Sequence, residues 1–227
     1  MNLQETMRKL ESMGTEQNRK VYKRHGAGDN QYGVSCANLE KLRKQIKTDH
    51  KLAQQLWATG NTDARTLATM IASPAEASEK LLDEWVSSTN YYLLIDVFVR
   101  HMAGKTPFVR KKMEQWTKSK DEWIGRAGWH LLGGLAMNAS GLPDGFWEPY
   151  LQKIEGSIHS AKNRTRDAMY GAVIAIGMRS DGLEKKALAS AKRIGKVEVD
   201  HGETGCKTPD AMSYIPKARA RQRAREK

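Results

Sequence analysis

Residues 54–72, "QQLWATGNTDARTLATMIA", show the pattern from which the fold class can be predicted. A helical segment ends near Trp57, and a short polar turn at Asn61 separates it from a second, more apolar segment. In that second segment the apolar residues from Leu67 to Ile71 recur at three and four positions, which places them on one face of an α-helix. The stretch therefore predicts two consecutive helices joined by a tight turn.

The same pattern returns along the chain. It is repeated in residues 82–99, "LDEWVSSTNYYLLIDVFV", and in residues 113–132, "MEQWTKSKDEWIGRAGWHLL", while residues 159–177 repeat the turn and the second helix without the Trp. A two-helix unit that recurs about every thirty to forty residues is typical of an α-solenoid of HEAT-like repeats. We predict an all-α superhelix of antiparallel helix pairs with a concave basic face; a plain helical bundle is the alternative.

The predicted domain organisation is simple. A single HEAT-like domain covers residues 1–216 and ends in a closing loop, 196–216. Residues 217–227 form a basic tail in which Arg stands at every second position. Such spacing covers all sides of a helix and leaves no apolar face to bury, so we expect the tail to be disordered.

Charge points to a polyanionic partner. The formal net charge is +12, and the +5 of the tail leaves +7 on the first 216 residues. A body this basic favours a nucleic acid as partner, although Lys-rich helix faces that are simply solvated would give the same composition.

The remaining bulk properties fit a cytoplasmic chain with no membrane segment. Hydrophobic residues make up 39% and charged residues 28%, and no apolar run approaches the length of a bilayer span. The first residues show no secretory signal. Cys36 and Cys206 are too few for a disulfide framework, and nothing indicates an obligate oligomer, so we expect a monomer.

A set of polar and aromatic residues stands out on the predicted second helices. Aromatics and Arg or Lys together could stack on bases or hold phosphates, while an Asp could serve a positive centre or a water. From the residues alone, the favoured interpretation is that Asp96 pairs with an Arg of a neighbouring repeat as an internal tie, while the Tyr and Trp side chains fill the core. The candidates are Arg65, Tyr91, Tyr92, Asp96, Arg126, Trp129, His130, Lys162, Arg164 and Arg166.

Five stretches in order resemble the DNA alkylation repair enzyme family of AlkD-like, HEAT-like-repeat DNA glycosylases. They are "YGVSCANLEKLRKQI" (32–46), "LWATGNTDARTLATMI" (56–71), "NYYLLIDVF" (90–98), "DEWIGRAGWHLL" (121–132) and "NRTRDAMYGAVIAIG" (163–177). The resemblance covers about residues 20 to 195, with its strength in the order of the stretches rather than in any one of them.

The resemblance implies excision of cationic N3- or N7-alkylated purines from double-stranded DNA without a cofactor or metal. By motif, the catalytic Asp falls on Asp96, the aromatic one turn before it on Tyr92, and the phosphate-contacting Arg on Arg126. Such a base is already a good leaving group, so electrostatic stabilisation of the sugar is the larger demand.

Two departures from the family pattern mark a divergent branch. Tyr91 and Tyr92 stand where better-characterised members carry Trp, in a pattern whose additional Asp is Leu93 here. A third expected aromatic aligns with Gly171, and the neighbouring Tyr170 points about 100° away around the helix. The resemblance therefore leaves two hypotheses, a glycosylase and a DNA-binding relative that excises poorly or not at all. A protein-binding helical scaffold is the third.

The closing stretch contains His201, Glu203, Cys206 and Asp210 within ten residues. These are possible metal ligands, but they lack the paired spacing of a zinc site, and a Cys–His nucleophile needs geometry that proximity does not supply. We interpret the stretch as a turn-rich loop that packs after the last helix.

Overall fold

The regular structure of the chain is helical. The computed structural model describes residues 1–139 and 141–225, and in these ranges it contains thirteen α-helices and four one-turn 3-10 helices. Gly14 and Val34 form an isolated β-bridge. The α-helices are α1 Leu3–Met13, α2 Glu16–Arg24, α3 Cys36–Ile46, α4 His50–Ala58, α5 Thr62–Ile71, α6 Glu79–Ser87, α7 Tyr92–His101, α8 Val109–Trp116, α9 Glu122–Asn138, α10 Glu148–Ser157, α11 Asn163–Gly177, α12 Asp181–Ile194 and α13 Ala211–Arg225. The predicted all-α class is confirmed.

Polar turn residues begin several of the helices. The Asn61 side chain accepts hydrogen bonds from the first turn of α5, and the Asp121 carboxylate does the same for α9; both are second helices of predicted pairs. Ser78 and Ser180 cap α6 and α12 through their hydroxyls. Each such cap satisfies orphan backbone N–H groups and contributes about 1 kcal/mol. The polar turns at Asn61 and Asp121 are therefore helix starts.

Two compact units divide the chain, where a single domain was predicted over residues 1–216. The first unit is Met1–Val109 with His201–Gly205, and the second is the described part of Arg110–Asp200 with that of Cys206–Lys227. Each unit has buried apolar side chains of its own. Consecutive helix pairs pack mainly on their neighbours, as expected of repeats.

Stacked tryptophans join consecutive helix pairs in the first unit. Trp57 of α4 and Trp85 of α6 lie parallel, with ring centroids 4.2 Å apart and planes 3° apart. Phe98 of α7 lies tilted against both rings at 6.4 and 6.2 Å. Trp57 and Trp85, which end two of the predicted first helices, thus form a core contact between repeats.

Close approach of backbones shapes the second unit. A Cβ at Gly128 of α9 would lie 2.4 Å from the backbone nitrogen of Thr117, just after α8. A Cβ at Gly125 would lie 3.0 Å from the Thr165 hydroxyl oxygen in α11. The glycines of "GRAG" are therefore required where α9 contacts the elements on either side of it.

The predicted disorder of the basic tail is wrong for residues 217–225, which belong to α13; residues 226 and 227 lie outside the described residues. Ala211, Ile215 and Arg219, spaced at four residues, are buried along one stripe of this helix. Ile215 packs against Gly177, where a Cβ would lie 2.9 Å from its Cδ1. Arg–Ala alternation therefore does leave a face to bury, provided that the buried Arg is neutralised.

Acidic residues of α12 neutralise that Arg. The Arg219 guanidinium donates to the Asp181 carboxylate at 2.6 Å and to the Glu184 carboxylate at 3.4 Å. It also donates to the backbone carbonyl of Met178 at 3.1 Å. A buried charge is tolerated only when it is paired and hydrogen-bonded, and these contacts meet both conditions.

None of the described helices has both the length and the hydropathy that a bilayer span requires.

Two glycines of α9 test the packing argument. Gly128→Ala should lower the free energy of unfolding by about 1–3 kcal/mol, because the new methyl group meets backbone atoms. Gly134→Ala, on the same helix with open space around it, should raise it by about 0.5–1 kcal/mol through helix propensity. Urea denaturation of both variants measures the difference, and equal effects would contradict the close approach of α9.

Candidate nucleic-acid interface

The predicted catalytic pair lies in the first unit on α7. Tyr92 is the first residue of this helix and Asp96 lies one turn later, so both project from the same face. The side chains of both are half-buried, whereas Leu94, Ile95 and Phe98 of the same helix are buried. A polar pair at partial exposure can meet a ligand, which the apolar face of the helix cannot.

A histidine that sequence reasoning missed holds the tyrosine. Nδ1 of His25, at the C-terminal end of α2, is hydrogen-bonded to the Tyr92 hydroxyl, and the two rings are 5.9 Å apart. The bond holds the tyrosine side chain, which lies one helical turn before Asp96. No pattern pointed to His25, because it lies 67 residues from its partner.

Tyr91 takes a position in the core of the first unit. Only 7% of it is exposed, and its ring meets that of Tyr92 edge to face at 5.9 Å. Burial raises the pKa of Tyr91 strongly, with the neighbouring Tyr92 and Tyr22 adding to the effect, so the phenol stays neutral. Tyr91 therefore lies in the core rather than at the surface, and the DNA contact predicted for it stays a prediction.

A buried carboxylate, also missed from the sequence, organises the neighbouring loop. Asp63 in the first turn of α5 accepts backbone hydrogen bonds from Tyr32, Gly33 and Val34 at 2.6, 3.1 and 3.0 Å. Burial raises the pKa of Asp63, and these hydrogen bonds oppose the rise. The group attaches the segment before α3 to α5 and has no exposed face for a ligand.

Arg65 and Arg166 occupy equivalent places in α5 and α11. The Nε atom of Arg65 donates to the Trp57 carbonyl at 3.1 Å, and that of Arg166 to the Ile158 carbonyl at 3.2 Å, in each case eight residues earlier. Through Nη1, Arg65 also donates to the Ser88 carbonyl at 3.0 Å and Arg166 to the Glu198 carbonyl at 2.8 Å. Each guanidinium thus attaches its own helix pair to the following segment.

Arg126 makes an internal tie within the second unit. Only 3% of the residue is exposed, and its Nη1 donates to the Asp167 carboxylate at 2.8 Å and to the Arg164 carbonyl at 3.0 Å. Trp129, on the same helix, is 2% exposed, with the Lys153 ammonium 5.5 Å from the centre of its ring. Arg126 and Trp129 therefore occupy core positions in the second unit, where α9 packs against α11, and their predicted roles in contacting DNA stay predictions.

The start of α11 carries two cationic side chains that are exposed or half-buried. Lys162 precedes the helix and is exposed, Arg164 is half-buried, and the Arg164 N–H donates to the Glu122 carboxylate at 2.7 Å. His130 of α9 is also half-buried. Backbone N–H groups and cations at a helix N-terminus favour an anion.

The space around Gly171 is open. It lies in the middle of α11 on the exposed side, and a Cβ there would have no neighbour within 4 Å. The adjacent Tyr170 is buried, and its hydroxyl accepts a hydrogen bond from the Ala211 N–H at 3.1 Å. Tyr170 therefore attaches α13. The open space beside Gly171 is not filled by a neighbouring side chain.

The closing stretch caps α13. The Asp210 carboxylate accepts the N–H groups of Met212 and Ser213, both at 3.2 Å. In the second unit Asn163 and Asp200 exchange side-chain and backbone hydrogen bonds at 2.7 and 2.8 Å. No cluster of three His, Cys, Asp or Glu able to hold a metal ion occurs in residues 1–139 or 141–225.

Comparison with known proteins identifies the family. The family model described as "DNA alkylation repair enzyme" matches residues 6–215. The uncharacterised proteins Lin0241 of Listeria innocua and Lmo0209 of Listeria monocytogenes are each 30% identical to this chain over 207 residues, which are 89% of this chain and 90% of each relative.

A solved structure supports the same assignment. It is described as representing a new family of proteins related to the HEAT-like repeat DNA glycosylases with affinity for branched DNA structures. The likeness has a TM-score of 0.89 at 29% identity and covers 98% of this chain and 96% of the other. The HEAT-like repeat fold predicted from the sequence is thereby confirmed, and the chain belongs to the DNA alkylation repair enzyme family.

Proposed function

We propose that this protein binds DNA and prefers branched or otherwise distorted duplexes to linear ones. The observation that carries the proposal is the likeness in fold, over 98% of the chain, to a protein described by its affinity for branched DNA. The net charge of +12 supports a polyanionic partner. In this proposal the protein acts as a monomer in the cytoplasm.

Two kinds of residue contribute to the proposed binding. Exposed or half-buried groups contact the DNA directly: Lys162 and Arg164 through phosphates, His130 and Tyr92 through sugar or base. The buried Arg126 acts by position, because its bond to the Arg164 carbonyl holds the first turn of α11.

The site geometry favours binding over excision. Position 171, where the family resemblance expects an aromatic, has open space and no side chain. Two aromatic candidates, Tyr91 of the first unit and Trp129 of the second, are each buried. The second unit, with cations at the start of α11 and no aromatic side chain at position 171, suits a phosphate backbone better than it suits the positioning of a single sugar.

Binding to a four-way junction tests the proposal. Fluorescence anisotropy should give at least about tenfold tighter binding to a labelled junction than to a linear duplex of its arm sequence, with a steep salt dependence. Lys162→Gln should weaken both and reduce the salt slope by about 0.9, the loss of one phosphate contact. The matched control is Lys51→Gln, an exposed position on α4, which should bind as wild type. Equal affinity for junction and duplex would contradict the proposal.

A second function, excision of alkylated purines, is favoured by the position of Asp96. Its half-buried carboxylate lies one turn from a tyrosine that His25 holds. In the proposed reaction the N-glycosidic bond breaks, its electron pair leaves with the cationic base, and the carboxylate stabilises the positive charge on the sugar. Water then adds to C1′ of the deoxyribose and releases its proton.

Release of N7-methylguanine and N3-methyladenine from alkylated duplex DNA tests the second function. If the chain excises, Asp96→Asn should reduce release at least about a hundredfold. Gly171→Trp should increase release without lowering the unfolding temperature, because the position is open and Trp has a higher helix propensity than Gly. Gly177→Trp is the control for folding, since it would clash with Ile215. No release by wild type or Gly171→Trp would reject excision and leave the binding proposal intact.

A further inference from the structure

The second unit contains a groove that the proposed interface does not use. It lies between the C-terminal end of α9 and the outer side of α13, and its cavity volume is about 810 Å³. Met137 and Tyr214 border it with 59% and 48% of their surfaces exposed. These are two of the three large apolar side chains that the described residues expose. An exposed aromatic beside an exposed thioether indicates a surface that binds something.

Three cations line the groove along one stripe of α13. Lys217, Arg221 and Arg225 are exposed and are spaced at four residues, so their side chains follow one another at intervals of about 6 Å along the helix axis. Within the described residues none of the three makes a salt bridge or a side-chain hydrogen bond. The opposite stripe differs, because Arg219 and Arg223 are neutralised by Asp181 and Glu184.

At the floor of the groove, the guanidinium group of Arg179 masks the negative end of a helix that would otherwise repel an anion. The C-terminal end of α9 carries orphan carbonyls and the negative end of the helix dipole. The Arg179 guanidinium covers them, donating to the carbonyls of Ala136 at 2.6 Å and Ala139 at 2.9 Å, and it stacks 4.4 Å above the Trp147 ring. The described lining contains no Asp or Glu. The groove therefore combines four cations with no acidic side chain.

We infer that this groove binds a single strand of DNA. The row of cations at regular intervals suits successive phosphates of one strand, and Tyr214 offers a flat surface on which an unpaired base can stack. Paired bases inside a duplex cannot reach Tyr214 in this way. An acidic peptide would meet the cations but would leave the aromatic surface unused.

The inference deepens the proposed function, on which it rests for the choice of DNA as the polyanion. A branched DNA with an unpaired arm would engage the proposed interface through its duplex and the groove through its single strand. Two such contacts on one molecule raise the overall affinity beyond that of either alone.

Charge-neutral variants of the full-length protein test the groove. The triple variant Lys217→Gln/Arg221→Gln/Arg225→Gln should bind a short fluorescein-labelled oligodeoxythymidine at least about tenfold more weakly, with a salt slope lower by about 2, as expected for three phosphate contacts on a single strand. Tyr214→Ala should weaken the same binding about fivefold or more through lost stacking, whereas Tyr214→Phe should retain it. Linear duplex binding should stay within about twofold of wild type in all of these variants.

A matched control separates the groove from the overall charge. Lys41→Gln/Lys51→Gln/Lys185→Gln removes the same charge from exposed positions on other helices, and it should leave oligodeoxythymidine binding unchanged. Circular dichroism and thermal unfolding verify that each variant is folded. If the groove triple and the control weaken single-strand binding equally, the inference is overturned. The inference is also overturned if a labelled polyglutamate peptide binds wild type and loses that binding in the groove triple, while oligodeoxythymidine does not bind wild type.

The two proposals fail in different ways. If wild type prefers the four-way junction while the groove triple binds oligodeoxythymidine as wild type does, the proposed function stands and the groove inference is rejected. If wild type binds junction and duplex equally well, but oligodeoxythymidine binding by wild type is lost in the groove triple, the groove inference stands and the proposed function is rejected.

Discussion

Hydrogen bonds from arginine side chains to backbone carbonyl groups hold neighbouring helices of this structure together. A helix ends with carbonyl groups that have no partner within the helix, and a chain of short helices has many such ends. Here guanidinium groups supply the missing donors, since one planar fork can reach several carbonyls at once. The residues that do so at helix ends or across neighbouring helices are Arg65, Arg126, Arg166, Arg179 and Arg219.

This use of arginine separates structural cations from those free to meet a ligand. Arg126 and Arg219 are buried and paired with carboxylates, so their charge is neutralised locally. Lys162 before α11 and the outer stripe of α13 remain exposed. Net charge alone treats both kinds alike, and only their contacts show which cations a phosphate backbone could engage. The DNA-binding proposals rest on the second kind.

The helix pairs could be predicted from the sequence because local rules determine them. Trp57 and Trp85 mark the ends of first helices, and Asn61 and Asp121 cap the second ones, and all of these signals act within a few residues. The course of α13 could not be predicted in this way. Its stability depends on Arg219 meeting Asp181 and Glu184, some 35 to 38 residues earlier in the chain.

The candidate site shows the same division. The common face of Tyr92 and Asp96 follows from helical spacing, and so does the direction of the buried Tyr170, which points about 100° around the helix from the exposed position 171. His25, which holds Tyr92, and Asp63, which organises the loop before α3, act over long sequence separations and gave no local signal. Burial of Arg126 follows from the glycine-mediated approach of α9 to its neighbours, which is a property of packing rather than of residue type.

Exposed cations at particular helix surfaces, rather than overall charge, receive the DNA in the proposed complex. Hydrogen–deuterium exchange with and without a bound DNA junction that carries one unpaired arm tests this directly. We expect added protection at the first turns of α7 and α11 and along α13, with no change on α3 and α4, to which no DNA contact is assigned. Protection on α3 and α4, with none at α11 or α13, would be the contradictory result.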